Sequence, residues 1–167
     1  SARFVEDRAY IVTFRQIDPL WTIDLSDPTT PTIIGELEVP GVSTYIHPLD
    51  ADNVLTIGIG PANADGTGLD WSNTQISLFD VSDFSMPELA SALSLTPVTD
   101  NEFNGGWTWS SSEALYEHKA FQYWAAKDLL AVPLSTYRYT FVEEGTPEEK
   151  RRYCEDMVDE EWYWIQN

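Results

Sequence analysis

The sequence has little sulfur and little positive charge, and both shortages exclude classes of protein. Its 167 residues contain a single cysteine, Cys154, so an intrachain disulfide and a site built from several cysteine ligands are excluded. Only 9 basic residues stand against 28 acidic ones, which gives a net charge of −19. Nucleic acids and anionic membranes are bound through basic surfaces, so neither is expected as a partner.

Long apolar runs and familiar catalytic motifs are also missing. A helical membrane span needs about 20 consecutive apolar residues, and the sequence has no such run. It contains no P-loop, no dinucleotide-binding glycine motif, no nucleophile elbow and no His-Glu-x-x-His pair. We therefore expect a non-enzymatic protein. Strand-like sequence begins at Ala2 with no leader before it, which favours a piece of a longer chain.

What the sequence does have is a repeat. Residues 23–31 return as residues 79–87, with Asp24 matching Asp80 and Asp27 matching Asp83. Hydrophobic residues make up 43% of the chain and aromatic residues 13%, enough for a packed core. A repeat of about 40–50 residues, built from strands and tight turns, is typical of a β-propeller.

The strand and turn pattern extends this repeat into three units. β-branched and aromatic runs alternate with Asp, Pro and Gly turns. We predict an all-β fold, a partial β-propeller of two to three four-stranded antiparallel blades. The blades are expected at about residues 3–39 and 43–95, with an incomplete third at 114–136, so that residues 1–136 form the propeller part. The second unit carries an insertion within residues 58–72, expected to be an exposed loop.

The remaining residues, 137–167, are predicted to form an acidic tail of a different kind. Thr146-Pro147-Glu148-Glu149 has the pattern of a helix start, with proline in the first turn. Apolar residues then recur at helical spacing. The spacing predicts a short C-terminal helix over about residues 147–161, with a strand over 162–165 as the alternative.

Several segments of the sequence resemble a known family. Residues 2–15, with the motifs at 18–20, 24–28, 45–49, 77–83 and 118–121, are similar to secreted β-propeller domains of bacteria and archaea, distantly related to WD-repeat proteins. The similarity covers about residues 2–135. It implies an exported or cell-envelope parent protein, and it implies no catalytic activity.

The repeated aspartates are the first candidate residues. Asp24, Asp27, Asp80 and Asp83 each precede a turn, where a carboxylate accepts bonds from backbone N–H groups just ahead. We interpret them as structural turn residues. The alternative is that Asp24 and Asp80 are ligands.

The two histidines form a second candidate site. His47 and His118 each follow a tyrosine by two residues, in Tyr45-Ile46-His47 and Tyr116-Glu117-His118. If both occupied equivalent inner-strand positions, they could approach each other in a central channel and hold a metal or transfer a proton. The alternative is a structural role, since a zinc site needs three or four ligands.

A third candidate is calcium at the inserted loop. Asn63, Asp65 and Asp70 lie in a Gly-rich stretch that weakly resembles a calcium loop. Pro61 stands at the first ligand position and Ser72 stands where the glutamate is expected. The alternative is a plain flexible loop with no cofactor.

Three tryptophans in the long loops are the last candidates. Trp71, Trp107 and Trp109 lie among Gly, Ser and Asn. Exposed aromatic side chains on a loop-bearing surface suit contact with a protein or a carbohydrate. The alternative is burial against a neighbouring blade.

These features support two hypotheses of function. The first is a binding or scaffolding segment of an exported β-propeller protein. The alternative is a metal-dependent or catalytic propeller that uses His47, His118 and acidic partners. An incomplete array also leaves unpaired strand edges, so edge-to-edge self-association is expected unless the acidic tail blocks it.

Overall fold

The chain folds into β-sheets. The computed structural model describes residues 1–13, 18–97 and 107–139, with the backbone alone at residues 18, 107 and 139. These residues form twelve β-strands and three short 3₁₀ helices, and they contain no α-helix. The predicted all-β class is confirmed. Cys154 and the helix predicted over 147–161 lie outside the described residues.

The first sheet has four antiparallel strands in sequence order. They are β1 (Ala2–Val5), β2 (Arg8–Val12), β3 (Asp18–Asp24) and β4 (Thr32–Val39). Tyr10 and Val12 favour the extended backbone of β2 because aromatic and β-branched side chains fit a pleated, half-buried surface. A register shift between Thr22 and Ile23 bends β3 against β4.

The second sheet repeats this order. Its strands are β5 (Val42–Pro48), β6 (Asn53–Gly60), β7 (Asp70–Asp80) and β8 (Glu88–Ser94), all antiparallel neighbours. The prediction of four-stranded antiparallel sheets is therefore confirmed. The inserted residues 61–69 connect β6 to β7. The described residues do not close into a complete propeller.

The third unit is less regular. Strand β9 (Trp107–Ser111) pairs with β12 (Ser135–Tyr139), and β10 (Gln122–Trp124) pairs with β11 (Leu129–Ala131). The 3₁₀ helices lie between these strands, at Glu113–Leu115, His118–Ala120 and Ala125–Lys127. Strand β12 runs to Tyr139, so regular structure extends past residue 136, where the strand and turn pattern predicted the propeller part to end.

The three units lie in layers, with a hydrophobic core between each two successive units. The first core joins the two four-stranded sheets and contains Tyr10, Val12, Leu20, Val39, Ile46, Val54, Phe79 and Val81. The second core joins the second sheet to the third unit and contains Val42, Ile57, Ile59, Ala114, Leu115 and Phe121. Each sheet thus buries one face against the next, which is how apolar sheet surfaces leave water.

The first two sheets approach each other closely at Gly35. The Thr22 hydroxyl donates a 2.6 Å hydrogen bond to the Phe84 carbonyl, which lies in the turn that follows β7. A Cβ atom on Gly35 would lie 2.6 Å from Thr22 Oγ1 and 2.8 Å from the Phe84 carbonyl oxygen. Glycine is therefore required at residue 35 by the close contact between the turn and β4.

Replacing Gly35 with alanine tests this contact. We expect Gly35→Ala to lower the free energy of unfolding by about 1–3 kcal/mol, because overpacking at a rigid backbone contact forces the sheets apart. Urea unfolding followed by far-UV circular dichroism measures the effect. Glu38→Ala, an exposed change on the same strand, is the matched control, and equal stability of the two variants would contradict the assignment.

Candidate functional site

The repeated aspartates lie at the turns that follow β3 and β7. The Ser26 N–H donates to Asp24 Oδ1 (2.8 Å), and the Ser82 N–H donates to Asp80 Oδ1 (2.9 Å). Three residues further on, Asp27 accepts from the Thr29 N–H (2.9 Å) and Asp83 accepts from the Ser85 N–H (3.0 Å). In both repeats, therefore, two successive carboxylates bind backbone N–H groups that the turn leaves without strand partners.

These hydrogen bonds favour the ionised carboxylates. Bonds from the Thr29 and Thr30 hydroxyls and the Thr29 N–H lower the pKa of Asp27 to about 2. Bonds from the Ser85 hydroxyl and N–H lower the pKa of Asp83, and bonds from Ser82 lower that of Asp80. Bonds to the charged form lower a carboxyl pKa because protonation weakens them.

The lowered pKa of Asp27 makes its contribution depend on pH. A carboxyl whose pKa is lower in the folded state stabilises the protein above its unfolded pKa of about 3.9, and this stabilisation is lost as the pH falls further. We expect Asp27→Ala to destabilise the protein at pH 7 and to match the parent near the folded pKa of about 2. Urea unfolding at both pH values measures this. Asp7→Ala, in the exposed β1–β2 turn, is the control, and a pH-independent loss at Asp27 would contradict the account.

His47 lies in an aromatic cluster near the end of β5. Its ring centroid is 6.2 Å from that of Tyr45, 5.2 Å from that of Phe121 and 5.7 Å from that of Tyr123. The Arg3 guanidinium lies over the Tyr45 ring, 4.8 Å from its centroid, and Arg3 Nε donates to the Ile46 carbonyl (3.0 Å). Burial, and then the charge of Arg3, lower the pKa of His47. The cluster therefore favours neutral imidazole.

His118 does not occupy the position equivalent to His47. His47 is in a strand, whereas His118 begins the 3₁₀ helix at 118–120, where the Glu117 side chain accepts a bond from the Lys119 N–H (3.0 Å). This cap turns the chain out of strand conformation despite the shared Tyr-x-His spacing. Both histidine rings nevertheless lie beside the Tyr45 ring, since His118 stacks on it with centroids 6.4 Å apart.

The structure brings both histidine rings close to the ring of Tyr45. Within residues 1–13, 18–97 and 107–139, no three His, Cys, Asp or Glu side chains form a group suited to a metal ion. The charged neighbour of His118 is Glu117, with 3.6 Å between Nδ1 and Oε1. The cluster is dominated by ring stacking rather than by ligand atoms.

The effect of Arg3 on His47 can be measured directly. We expect His47 to titrate below the ordinary value of about 6.5, and Arg3→Gln to raise its pKa. Stability linked to His47 is then complete above about pH 6.5 and declines as the pH falls toward the folded pKa, because the unfolded chain binds the proton more tightly. Proton NMR titration of the two imidazoles, assigned with His118→Gln, measures this. Arg8→Gln is the control, and a His47 pKa unchanged by Arg3→Gln would contradict the assignment.

Asn63 and Asp65 of the predicted calcium residues lie in the connection between β6 and β7, and Asp70 begins β7. Asp65 Oδ1 accepts from the Thr67 N–H (3.0 Å) and from the Thr67 hydroxyl (2.6 Å). The Asn63 side-chain amide donates to Thr67 Oγ1 (3.1 Å), and Asp70 accepts from the Ser72 N–H (3.0 Å). Asn63, Asp65 and Asp70 thus each bind nearby side chains or backbone.

Two of the predicted tryptophans lie on one surface, to which three strands contribute. Trp71 on β7 is 66% exposed and Trp109 on β9 is 38% exposed. Trp109 Nε1 donates to the Trp71 carbonyl (3.0 Å), and the Trp109 ring stacks on Tyr137 with centroids 5.3 Å apart and planes at 25°. We call Trp71, Trp109 and Tyr137 the aromatic surface. The side chain of Trp107 lies outside the described residues.

Buried hydrogen bonds hold the aromatic surface in place. The Thr74 N–H donates to Ser110 Oγ (2.9 Å), and the Ser110 hydroxyl lies 2.6 Å from that of Thr96. Thr96 also donates to the Ser72 carbonyl (3.1 Å). Ser72 and Ser110 directly follow Trp71 and Trp109 in the sequence. This hydrogen-bond network therefore holds β9 against β7 next to both tryptophans.

Sequence reasoning missed two members of these clusters. Tyr137 was assigned to the tail, although the alternation in Tyr137-Arg138-Tyr139 is a strand signal. Its partner Trp109 is 28 residues earlier, and only the β9–β12 register places the two opposite each other. The sequence analysis assigned no role to Arg3, which reaches Tyr45 because β1 lies beside β5.

Comparison with known proteins identifies the family of the chain. The family profile described as "Beta propeller domain" matches residues 1–160. An uncharacterized protein of Methanocaldococcus jannaschii is 36% identical over 141 residues, covering 84% of this chain and 19% of that protein. An uncharacterized protein of Archaeoglobus fulgidus is 43% identical over 88 residues, covering 53% of this chain and 13% of that protein. No solved structure matches.

The chain therefore belongs to the β-propeller domain family. The matched regions cover less than a fifth of the length of either relative. None of the helices in the described part of the chain is long and apolar enough to cross a membrane.

Proposed function

We propose that this chain is a non-enzymatic binding segment of an exported β-propeller protein, distantly related to WD-repeat propellers, and that its aromatic surface binds neutral carbohydrate. The observation that carries the proposal is the stacking of Trp109 on Tyr137, next to the exposed Trp71, whose backbone carbonyl accepts a bond from Trp109. Export is supported by the resemblance of the sequence to secreted propeller domains.

The chemistry of the aromatic surface suits a sugar ring. Trp and Tyr side chains offer a broad apolar face together with a polar edge. A sugar presents apolar C–H groups on its ring faces and hydroxyls around its rim, so it can stack on the indoles while its hydroxyls stay hydrated. The Trp109 N–H is already bonded to the Trp71 carbonyl, which leaves the indole ring itself as the contact surface.

Preorganisation favours binding at this surface. The Ser110, Thr96 and Thr74 hydrogen bonds fix the strands that carry both tryptophans. A ligand therefore orders few side chains on binding, which reduces the entropic cost of association. The Trp109 ring, stacked on Tyr137 and bonded to the Trp71 carbonyl, is therefore held in place, unlike a tryptophan on a free loop.

The charge of the chain selects among carbohydrates. A net charge of −19 repels uronic acids, sulfated sugars and other anionic polymers. Neutral hexose polymers carry no such penalty. The proposed ligand class is therefore neutral oligosaccharide or polysaccharide.

Affinity electrophoresis against soluble neutral polysaccharides tests the proposal. We expect retardation of the parent protein, and Trp71→Ala or Trp109→Ala should weaken binding by about tenfold, which is the loss of about 1.4 kcal/mol of stacking. Trp124→Ala removes an exposed tryptophan elsewhere and is the matched control.

Two outcomes would overturn the proposal. One is the absence of retardation of the parent protein by any neutral polysaccharide of a panel with different linkages. The other is an equal loss of binding in Trp124→Ala, which would show that no specific surface is involved.

A further inference from the structure

A cavity of about 240 Å³ lies between the first two sheets, where the β1–β2, β3–β4 and β7–β8 turns meet. It is lined by Asp7, Arg8, Asp24, Ser26 and Phe84, and we call it the turn cavity. A water molecule occupies about 30 Å³ in the liquid, so the turn cavity has room for about eight groups of that size. This volume suits a small molecule, such as a small amino acid, rather than a polymer.

Contacts between the turns hold the walls of the turn cavity in place. The Leu25 N–H donates to the Asp7 carbonyl (2.7 Å), which joins the β1–β2 turn to the β3–β4 turn. From the second sheet, the Phe84 carbonyl accepts the hydrogen bond from Thr22, and the Phe84 ring lies edge to face with that of Tyr10, with centroids 5.8 Å apart. The cavity is therefore formed before a ligand enters, which reduces the entropic cost of binding.

The turn cavity has charges of both signs that do not pair with each other. Arg8 Nη1 donates to the Ala51 carbonyl (2.9 Å), and the guanidinium lies over the Phe84 ring, 4.9 Å from its centroid. Within the part of the chain that the structure describes, Arg8 forms no ion pair with Asp7 or Asp24. Since a guanidinium has five N–H donors, Arg8 keeps donors for a ligand.

The negative side of the turn cavity includes a carboxylate whose position is fixed. Asp24 Oδ1 accepts from the Ser26 N–H (2.8 Å). This backbone bond, and then the Ser26 side chain, lower the pKa of Asp24. Asp24 is therefore ionised at neutral pH, and it faces the same cavity as the guanidinium of Arg8.

The repeat shows that the turns themselves do not require this arginine. Arg8 pairs with Asp24 as Asn53 pairs with Asp80, so Asn53 is the equivalent of Arg8 in the second sheet. The Asn53 side chain binds the Asp50 carboxylate within its own turn (3.0 Å). The same turn architecture thus forms with an uncharged residue, and the positive charge of Arg8 is free to serve the turn cavity.

We propose that the turn cavity binds a free α-amino acid with a small apolar side chain. The ammonium group of this zwitterion donates to the carboxylates of Asp7 and Asp24, and its carboxylate accepts from the Arg8 guanidinium. Its side chain packs on Phe84. One ligand thereby joins opposite charges that the protein leaves apart, through hydrogen bonds that are about twice as strong as those between neutral groups. The turn cavity shares no residue with the aromatic surface, and the proposal does not depend on carbohydrate binding.

NMR titration of the isotope-labelled 167-residue chain with L-valine tests this proposal. We expect saturable shifts of the backbone amide signals of Arg8, Ser26 and Phe84. N-acetyl-L-valine lacks the ammonium group and L-valinamide lacks the carboxylate. Each should therefore bind about tenfold more weakly than L-valine, because each loses one set of charge-assisted bonds.

Variants of the cavity residues have matched controls in the chain. Asp24→Asn keeps an oxygen that can accept the turn hydrogen bond, and Arg8→Gln removes the guanidinium; each should weaken L-valine binding by about tenfold. Asp80→Asn, in the equivalent turn of the second sheet, and Arg3→Gln, at another arginine that bonds to the second sheet, should leave binding unchanged. Circular dichroism checks that each variant is folded, and Arg8→Lys, a milder change, should also weaken binding because it lacks the planar fork of donors.

Three results would overturn the proposal. One is the absence of saturable shifts with L-valine and with every other small apolar L-amino acid. Another is binding of L-valinamide as tight as that of L-valine, which would show that the cavity selects cations and not zwitterions. The last is equal weakening by Asp80→Asn or Arg3→Gln, which would show a general effect of protein charge.

Discussion

The face-to-face packing of the first two sheets is the contact on which the rest of the described structure depends. A four-stranded sheet with apolar residues on both faces is not stable alone in water, because each uncovered face leaves hydrophobic surface exposed. The first core removes one face of each sheet from water, with Tyr10, Leu20 and Phe79 fully buried. Gly35 and the Thr22–Phe84 hydrogen bond then set how closely the sheets approach.

The same packing controls both clusters of candidate functional residues. Arg3 reaches the ring of Tyr45 only because β1 lies beside β5 across the first layer boundary. The tryptophans at 71 and 109 come together across the second boundary, where β7 meets β9. Both clusters of candidate residues therefore lie at contacts between repeats rather than within one repeat.

Sequence reasoning was most effective where a residue acts on its near neighbours. The Asp24 and Asp80 carboxylates bind N–H groups two residues ahead, so the repeat of Asp-x-Ser indicates the local geometry by itself. It was least effective at His118, where the Tyr-x-His spacing matched that of His47 but the Glu117 cap produced a 3₁₀ helix. Short spacing patterns do not report which of two local hydrogen-bond arrangements the chain adopts.

The amino-acid sequence by itself determined the all-β class, the four-stranded antiparallel repeats and the residues available for each turn. These properties follow from the alternation of apolar and polar residues, from the residues that favour turns and from the repeat of the sequence motifs. Tertiary structure alone decided which faces meet: that Trp109 stacks on Tyr137, and that Arg3 lies beside the His47 cluster. Such contacts join residues far apart in the chain, and their geometry depends on the packing of whole sheets, for which no short segment of sequence carries a signal.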